Sequence, residues 1–386
     1  MTQRKSCAIL RGMKRKLENP FFVSGYVSPE YFCDREVETT RLIDAFRNGR
    51  NVTLLAPRRM GKTGLVKNAF HRMEAKGEWK TIYVDVFSTQ NQADFTKLFA
   101  AAVIGSMDTS VDKALKAATR FFTHFRPTVS VDPVTGTQSY SFGLESGSVE
   151  ASLKECFDYL ASRRQRCVVA IDEFQQVATY PEKGTEALLR SFIQFMPDTR
   201  FVFAGSKRHM MADMFSLPSR PFYNSTQSFP LGPIPPDGYF AFAEHHMNSG
   251  GIALSRETFD RIYRMFDGIT WYIQEILNRL YAFRSAEFDD VSRAVAEIVS
   301  ESEYNFGNIV ESLPPGAVRL VRAIAREGTV KGVNAGSFIS KHGLKATSSV
   351  NVSLKKLMDS GFVERTDKGY VVEDRFFGIW LGKNPA

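Results

Sequence analysis

Up to residue 236 the chain alternates short apolar, β-favouring runs with stretches of helical period. The runs fall at 52–55, 81–87, 167–171, 200–204 and 229–231. The helical patterns lie at about 63–75, 93–107, 149–163 and 184–196. Apolar runs without polar alternation suit strands buried on both faces, and the helices between them supply the crossovers of a parallel sheet. The prediction is an α/β fold: a parallel sheet with helices on both faces. Ahead of the first strand, Leu42, Ile43 and Phe46 line one face of a helix that Asn48-Gly49 stops. Residues 128–143 break the rhythm. They alternate around an Asp132-Pro133 and Thr135-Gly136 turn, which predicts an inserted hairpin.

Beyond Pro233-Ile234-Pro235-Pro236 only helical periods remain for a while. Phe259, Ile262, Tyr263 and Phe266 recur at i, i+3, i+4 and i+7, as do Ile273, Ile276, Leu277 and Leu280. Ser255 is placed to cap the first of these helices. Val291, Ala294, Val295 and Ile298 mark a third. A new unit opens at Leu313-Pro314-Pro315-Gly316, with helices over 317–326, 337–341 and 348–359. Strands at 362–365 and 370–372 follow around Asp367-Lys368-Gly369. Three helices and a two-stranded ribbon make a winged-helix pattern. The expected organisation is a basic tail (1–17), an α/β core (18–236), a helical lid (237–310) and a winged-helix domain (311–386).

Candidate chemistry sits at the strand ends. Ala56-Pro57-Arg58-Arg59-Met60-Gly61-Lys62-Thr63, followed by Gly64, fits the pattern Gly-x-x-x-x-Gly-Lys-[Ser/Thr] except that Ala56 replaces the first glycine. It lies between a strand and a helix, the context that gives the pattern meaning. Backbone N–H groups of such a loop and the positive helix end hold phosphate oxygens. Lys62 is a point charge for β/γ-phosphates, and the Thr63 hydroxyl suits a Mg²⁺ shell. The bland alternative is a basic loop that only caps a helix. A second signal is Val168-Val169-Ala170-Ile171 running into Asp172-Glu173. Carboxylates there stand where open α/β sheets bind ligands. Asp172 is expected to hold the Mg²⁺ shell through water, and Glu173 to polarise the attacking water. Ser206, after Phe201-Val202-Phe203-Ala204-Gly205, could contact a γ-phosphate or that water, or simply end a strand. Arg58, Arg59 and Arg220 are candidates for stabilising transition-state charge. His245 and His246 are neighbours on a helix and cannot face one partner, so they indicate no metal.

At 386 residues the chain is long enough for two or three domains. Its 43% hydrophobic and 24% charged content exclude a disordered chain. The longest apolar stretch, near 98–104, is far short of the roughly 20 residues a membrane span needs. Cys7-Ala8-Ile9-Leu10 is too short for a secretory apolar region. Cys7, Cys33, Cys156 and Cys167 lie far apart with no Cys-x-x-Cys pair, which argues against a disulfide framework or zinc. The chain reads as cytoplasmic, with no membrane partner. Its net charge of +8 is uneven. Residues 1–16 hold six Lys/Arg and no acid, and residues 311–386 hold twelve against seven, leaving −3 between them. Basic ends around a near-neutral middle point to nucleic acid or another polyanion, or to solvated surface.

Several of these segments occur together in a known group. Asn19-Pro20-Phe21, Phe32-Cys33-Asp34-Arg35-Glu36 with Glu38, the 57–63 loop, Ile171-Asp172-Glu173-Phe174-Gln175 and Ala204-Gly205-Ser206 resemble the archaeal-type ATPases of the STAND/AAA+ branch of P-loop NTPases. Ser348-Ser349-Val350, Leu354-Lys355-Lys356-Leu357, Gly361-Phe362-Val363 and Asp374-Arg375-Phe376-Phe377 with Trp380-Leu381 are similar to that family's winged-helix tail. The resemblance runs from about residue 18 to the end. It implies an ASCE-type core with a helical lid and winged helix, ATP and Mg²⁺ as cofactors, and a nucleotide pocket to which Asp34, Arg35 and Glu36 contribute. Ala56 at the first loop position fits this branch. Gly268-Ile269-Thr270-Trp271 stands where many AAA+ motors carry an arginine-bearing sensor, which favours a switch over a processive hexameric motor. The reading is a slowly hydrolysing ATPase. Mg-ATP would lie between core and lid, and its hydrolysis would reorient them to expose or hide the winged helix. Two rivals stay open: a DNA-binding regulator with ATP as a structural ligand, and a protein-interaction module whose winged helix docks a protein partner. Lys355, Lys356, Arg365 and Lys368 are few cations for tight DNA binding.

Overall fold

A computed structural model describes residues 17–107, 123–131, 138–144, 148–163 and 165–383. Residues 1–16 of the expected basic tail lie outside them. The elements run α1 (Glu36–Arg47), β1 (Val52–Leu55), α2 (Lys62–Ala75), β2 (Lys80–Asp85), α3 (Gln92–Met107), β3 (Phe125–Val131), β4 (Gln138–Leu144), α4 (Val149–Ser162), β5 (Cys167–Asp172), α5 (Thr185–Ile193), β6 (Thr199–Gly205), α6 (Arg208–Ser216) and β7 (Gln227–Pro230). Then come α7 (Pro236–Ser249), α8 (Arg256–Met265), α9 (Thr270–Phe283), α10 (Phe288–Glu301), α11 (Glu303–Ser312), α12 (Pro315–Glu327), α13 (Gly336–Lys341), α14 (Thr347–Asp359), β8 (Val363–Thr366), β9 (Gly369–Val372) and α15 (Arg375–Lys383). No helix among the described residues is long and apolar enough to cross a membrane.

The chain divides into two compact units. One comprises Phe22–Phe242 and Gly268–Tyr272. Its five-stranded sheet has the order β2-β5-β6-β1-β7, and every pairing is parallel. A strand, β6, separates β1 from β5, the ASCE arrangement. Alternate residues of the buried strands feed two apolar layers. Ile82, Val84, Val169, Ile171, Phe201 and Phe203 face one layer, which α3, α4 and α6 complete. Val52, Leu54, Val168, Ala170, Val202 and Ala204 face the other, under α1 and α2. The second strand ends at Asp85, two residues sooner than its apolar run predicts. The Asp85 carboxylate accepts a hydrogen bond from the Phe87 N–H at 2.9 Å, turning the chain so that Phe87 is exposed. The inserted hairpin is present as antiparallel β3 and β4; its turn lies outside the described residues.

The other unit comprises the described residues up to Phe21, Ala243–Asp267, and Ile273 onward. Ser255 caps α8 as predicted, its hydroxyl accepting the Thr258 N–H at 3.0 Å. The helices α12, α13 and α14 precede the β8–β9 ribbon, and Val330 bridges to Tyr370 as a third edge. The helices α11 and α15 escape the periodicity reading. They meet through Phe306 and Phe377, whose rings lie 5.3 Å apart, and Phe376 packs edge-on against Phe266 at 5.4 Å. Asp374 starts α15 by accepting the N–H groups of Phe376 and Phe377.

Candidate functional site

Register brings the site residues to one edge of the sheet. Leu55 pairs with Gly205 and Pro230, Asp85 pairs with Asp172, and Ile171 pairs with Phe203, so the five strand ends finish nearly level. Residues 56–61 cross this edge and enter α2. Gly61 sits at φ +87°, where a side chain would be strained, and Arg59 adopts φ +64°. Ala56 is fully buried, so its methyl group is accommodated within the core. Lys62 is 7% exposed, and its ammonium donates to the carbonyls of Ala56 (3.3 Å) and Pro57 (2.9 Å). The loop therefore wraps around that charge. At Gly64 a Cβ would stand 3.0 Å from the Phe32 ring, so the glycine admits the aromatic against α2.

Thr63 follows Lys62 on α2 and donates its hydroxyl proton to Asp172 Oδ2 at 2.8 Å. Tyr83 OH donates to the same oxygen at 2.5 Å, and the Glu173 N–H donates to Oδ1 at 3.0 Å. Burial, with the neighbouring Asp172 charge, pushes the Tyr83 phenol far above its ordinary range, so it stays a donor. Burial also raises the Asp85 carboxyl, with Asp172 and Glu173 adding to the effect.

Glu173 takes the left-handed conformation (φ +55°), and a 3₁₀ turn over Phe174–Thr179 follows. Its Oε2 accepts the Ser206 hydroxyl at 2.8 Å and the Gln175 side-chain N–H. Ser206, read from sequence as a contact for phosphate or water or as a strand end, gives its proton to Glu173. Gln175 is buried, and its Oε1 has no hydrogen-bond partner.

The arginines separate clearly. Arg220 forms an ion pair with Glu186 and is partly exposed. Arg59 lies over the rings of Trp271 (4.6 Å) and Tyr272 (4.9 Å) and donates to Tyr272 OH. The Trp271 N–H donates to Arg59 O at 3.0 Å, and the Thr270 hydroxyl reaches Met60 O at 3.4 Å. Residues 270–272 therefore clamp the loop. Arg58 is partly exposed and makes no hydrogen bond among the described residues. Asp34 and Arg35 both have positive φ. Arg35 is buried and donates to Met60 O at 3.1 Å, bracing the loop from behind, while it pairs with Glu38 at 3.0 Å. Asp34 crowds Gly238, where a Cβ would lie 2.5 Å from Oδ2. Glu36 holds Arg72 at 2.6 Å. Among the described residues no group of three or more His, Cys, Asp or Glu side chains is placed to hold a metal.

Sequence reasoning misses Tyr83 and Tyr272. Tyr83 reads as one more β-former in an apolar run, and only its phenolic tip could hint at a polar partner. Tyr272 follows a segment singled out only for what it lacks.

A family model described as "ATPase domain predominantly from Archaea" matches residues 32–276, and one described as "Probable winged helix domain" matches residues 304–383. Among solved structures, the chain is similar to a Walker-type ATPase of Pyrococcus abyssi at 18% identity and TM-score 0.65, over 94% of this chain and 99% of that one. It is similar to the ORC2 protein of Aeropyrum pernix, solved as ADPNP–ADP complexes, at 16% identity and TM-score 0.57, over 95% and 96%. It is also similar to the ORC1 protein of Aeropyrum pernix, solved in complex with DNA, at 17% identity and TM-score 0.52, over 92% and 95%. Curated proteins give no match. At these identities the structural likeness concerns the fold.

Proposed function

This chain belongs to the family of ATPase domains found predominantly in Archaea, and we propose that it works as a slow, Mg²⁺-dependent switch. The observation that carries the reading is the 2.8 Å hydrogen bond from Thr63 to Asp172, which joins the phosphate loop to the acidic strand end with Glu173 beside it. Loop N–H groups, Lys62 and the start of α2 bind the β/γ-phosphates. The donor set suits a hard cation. It is all oxygen, and Thr63 gives its proton to Asp172, which leaves its lone pairs to a ligand. Thr63 and Asp172 would hold Mg²⁺, which supplies charge neutralisation of the phosphates when bound. Glu173 orients and polarises the attacking water. Ser206 and Gln175 hold its carboxylate, and giving up those hydrogen bonds is a cost consistent with slow turnover.

Glu173→Gln tests the assignment, since the amide keeps the size but cannot serve as a base. Nucleotide affinity is expected to stay within a few-fold while kcat falls by about 10²-fold or more. Turnover equal to wild type would remove Glu173 from the reaction.

DNA contact by the winged helix is the second reading, favoured by exposed Lys355 and Lys356 on α14 and by the DNA-bound relative. Lys368 is partly engaged, 3.6 Å from Asp267, and Arg365 lies over Tyr370. If all four cations touch phosphates, log K should fall with log [salt] at a slope of about −3 to −4. Replacing the four by alanine in the full chain should weaken binding to all duplex sequences alike, by anisotropy. Full-strength binding by that variant would move the DNA surface elsewhere.

A further inference from the structure

Tyr83 lies outside the phosphate loop and the acidic strand end, yet it shares their central carboxylate. The strands β2 and β5 pair in register, Tyr83 opposite Ala170 and Asp85 opposite Asp172. Tyr83, Ala170 and Asp172 therefore point to one face, under α2, while Ile82, Val84, Val169 and Ile171 point to the other. Because Ala170 is small, the tyrosine can lean diagonally past it toward the residue two positions on. Its hydroxyl ends 2.5 Å from Asp172 Oδ2, and the Lys67 ammonium lies 5.0 Å over its ring.

A carboxylate offers about two acceptor directions on each oxygen. Oδ2 uses both, for Thr63 at 2.8 Å and for Tyr83, whereas Oδ1 uses one, for the Glu173 N–H at 3.0 Å. We propose that Tyr83 is a positioning residue of the ATPase site: by saturating Asp172 Oδ2 it fixes the carboxylate and leaves Oδ1 as the oxygen that accepts from a hydrated Mg²⁺. This rests on the Mg²⁺ reading given above. Without Tyr83, Thr63 and the Glu173 N–H would hold one acceptor direction on each oxygen and leave the two oxygens equivalent. With Tyr83 the two oxygens are inequivalent before any ligand arrives. Asp172 is 5% exposed, so bulk water offers little substitute for the lost donor.

Tyr83→Phe removes one oxygen and keeps the ring that packs under α2. Calorimetric titration of the full chain with a non-hydrolysable ATP analogue, with Mg²⁺ and then with EDTA, separates the contributions. Wild type should bind more tightly with Mg²⁺. In the variant the EDTA affinity should be unchanged, and the Mg²⁺-dependent gain should shrink about tenfold, the scale for losing a partner of a metal-holding group. An undiminished gain would overturn the role of Tyr83 while leaving the Mg²⁺ site intact. Equal losses with Mg²⁺ and EDTA would overturn it too, since they would mark damage to the strand. If wild type gains nothing from Mg²⁺, the metal reading itself fails and this inference falls with it.

Discussion

Replacing Gly205 by alanine would put a methyl group where β6 has no room. A Cβ there would lie well inside contact distance of Gln175 Oε1, 2.7 Å from Met211 Sδ and 2.8 Å from Met211 Cγ. Met211 is fully buried and Gln175 nearly so, so neither can swing into solvent. Overpacking of this kind costs about 1–3 kcal/mol. Displacing Gln175 also takes its N–H from Glu173, a hydrogen bond to a carboxylate worth about 1.5–3 kcal/mol. Methionine adapts readily, which keeps the sum toward the low end. A net loss of about 2.5 kcal/mol corresponds to a Tm lower by about 5–10 °C for a unit of this size. Thermal unfolding followed by circular dichroism measures it. The cause is checked by a double-mutant cycle with Gln175→Ala, which deletes the nearest clashing atom. Gly205→Ala should cost at least about 1 kcal/mol less in that background. Additive effects, or a Tm within about 1 °C of wild type, would refute the claim that Gly205 exists to seat Gln175 against Glu173.

Lys62→Ala should lower affinity for Mg-ATP by about 100-fold or more by calorimetry, while circular dichroism stays unchanged. Binding at wild-type strength would remove the phosphate loop from the account. Arg59→Ala removes the stack on Trp271 and Tyr272 and should cost about 1–2 kcal/mol in chemical denaturation; an unshifted midpoint would mean the clamp carries no load. The Arg72 hydrogen bond holds the Glu36 carboxyl below its ordinary value of 4.5. A lowered folded-state pKa contributes stability that is present above 4.5 and is lost as pH falls through the folded value. Arg72→Met should therefore cost up to about 0.5 kcal/mol at pH 7, the pair being largely solvated, and nothing once Glu36 is protonated. A cost that persists at pH 2 would assign the effect to packing.

Local chemistry made the two main signals legible. A strand end, a glycine with positive φ and a Lys-Thr pair are contiguous, so Val52–Leu55 and the 56–64 loop can be read from neighbours alone. Val168 to Glu173 is equally self-contained, and β5 extends the predicted run only by Asp172 itself. Contacts across the sheet were hidden, because they depend on register. Nothing local to Tyr83 says that Asp172 stands two positions along the neighbouring strand, or that Ala170 leaves the gap. Gln175 and Gly205 were both visible as members of a motif, but their mutual fit appears only when the 3₁₀ turn packs against β6. The partner of Arg220 was hidden in the same way: Glu186 stands 34 residues earlier in the chain, and only the fold brings it beside the guanidinium.

The hydrogen bonds of the phosphate loop suggest why residues 268–272 belong with the nucleotide machinery although they carry no arginine. A loop that binds anions must turn its carbonyls away from the ligand, and each carbonyl so turned needs a donor of its own. Here Lys62 serves Ala56 and Pro57, Arg35 serves Met60 with help from the Thr270 hydroxyl, and the Trp271 N–H serves Arg59. One of these donors, Lys62, flanks the loop, Arg35 comes from the start of α1, and two come from the 268–272 segment. If Lys62 binds phosphate as proposed, the carbonyls of Ala56 and Pro57 would lose their donor, and Arg35, Thr270 and Trp271 would be left to hold the loop. A change at the phosphates would then be felt first at residues 268–272 of the same compact unit. Such a response would need no sensing arginine, because the carbonyls of the loop would report on ligand held by its N–H groups.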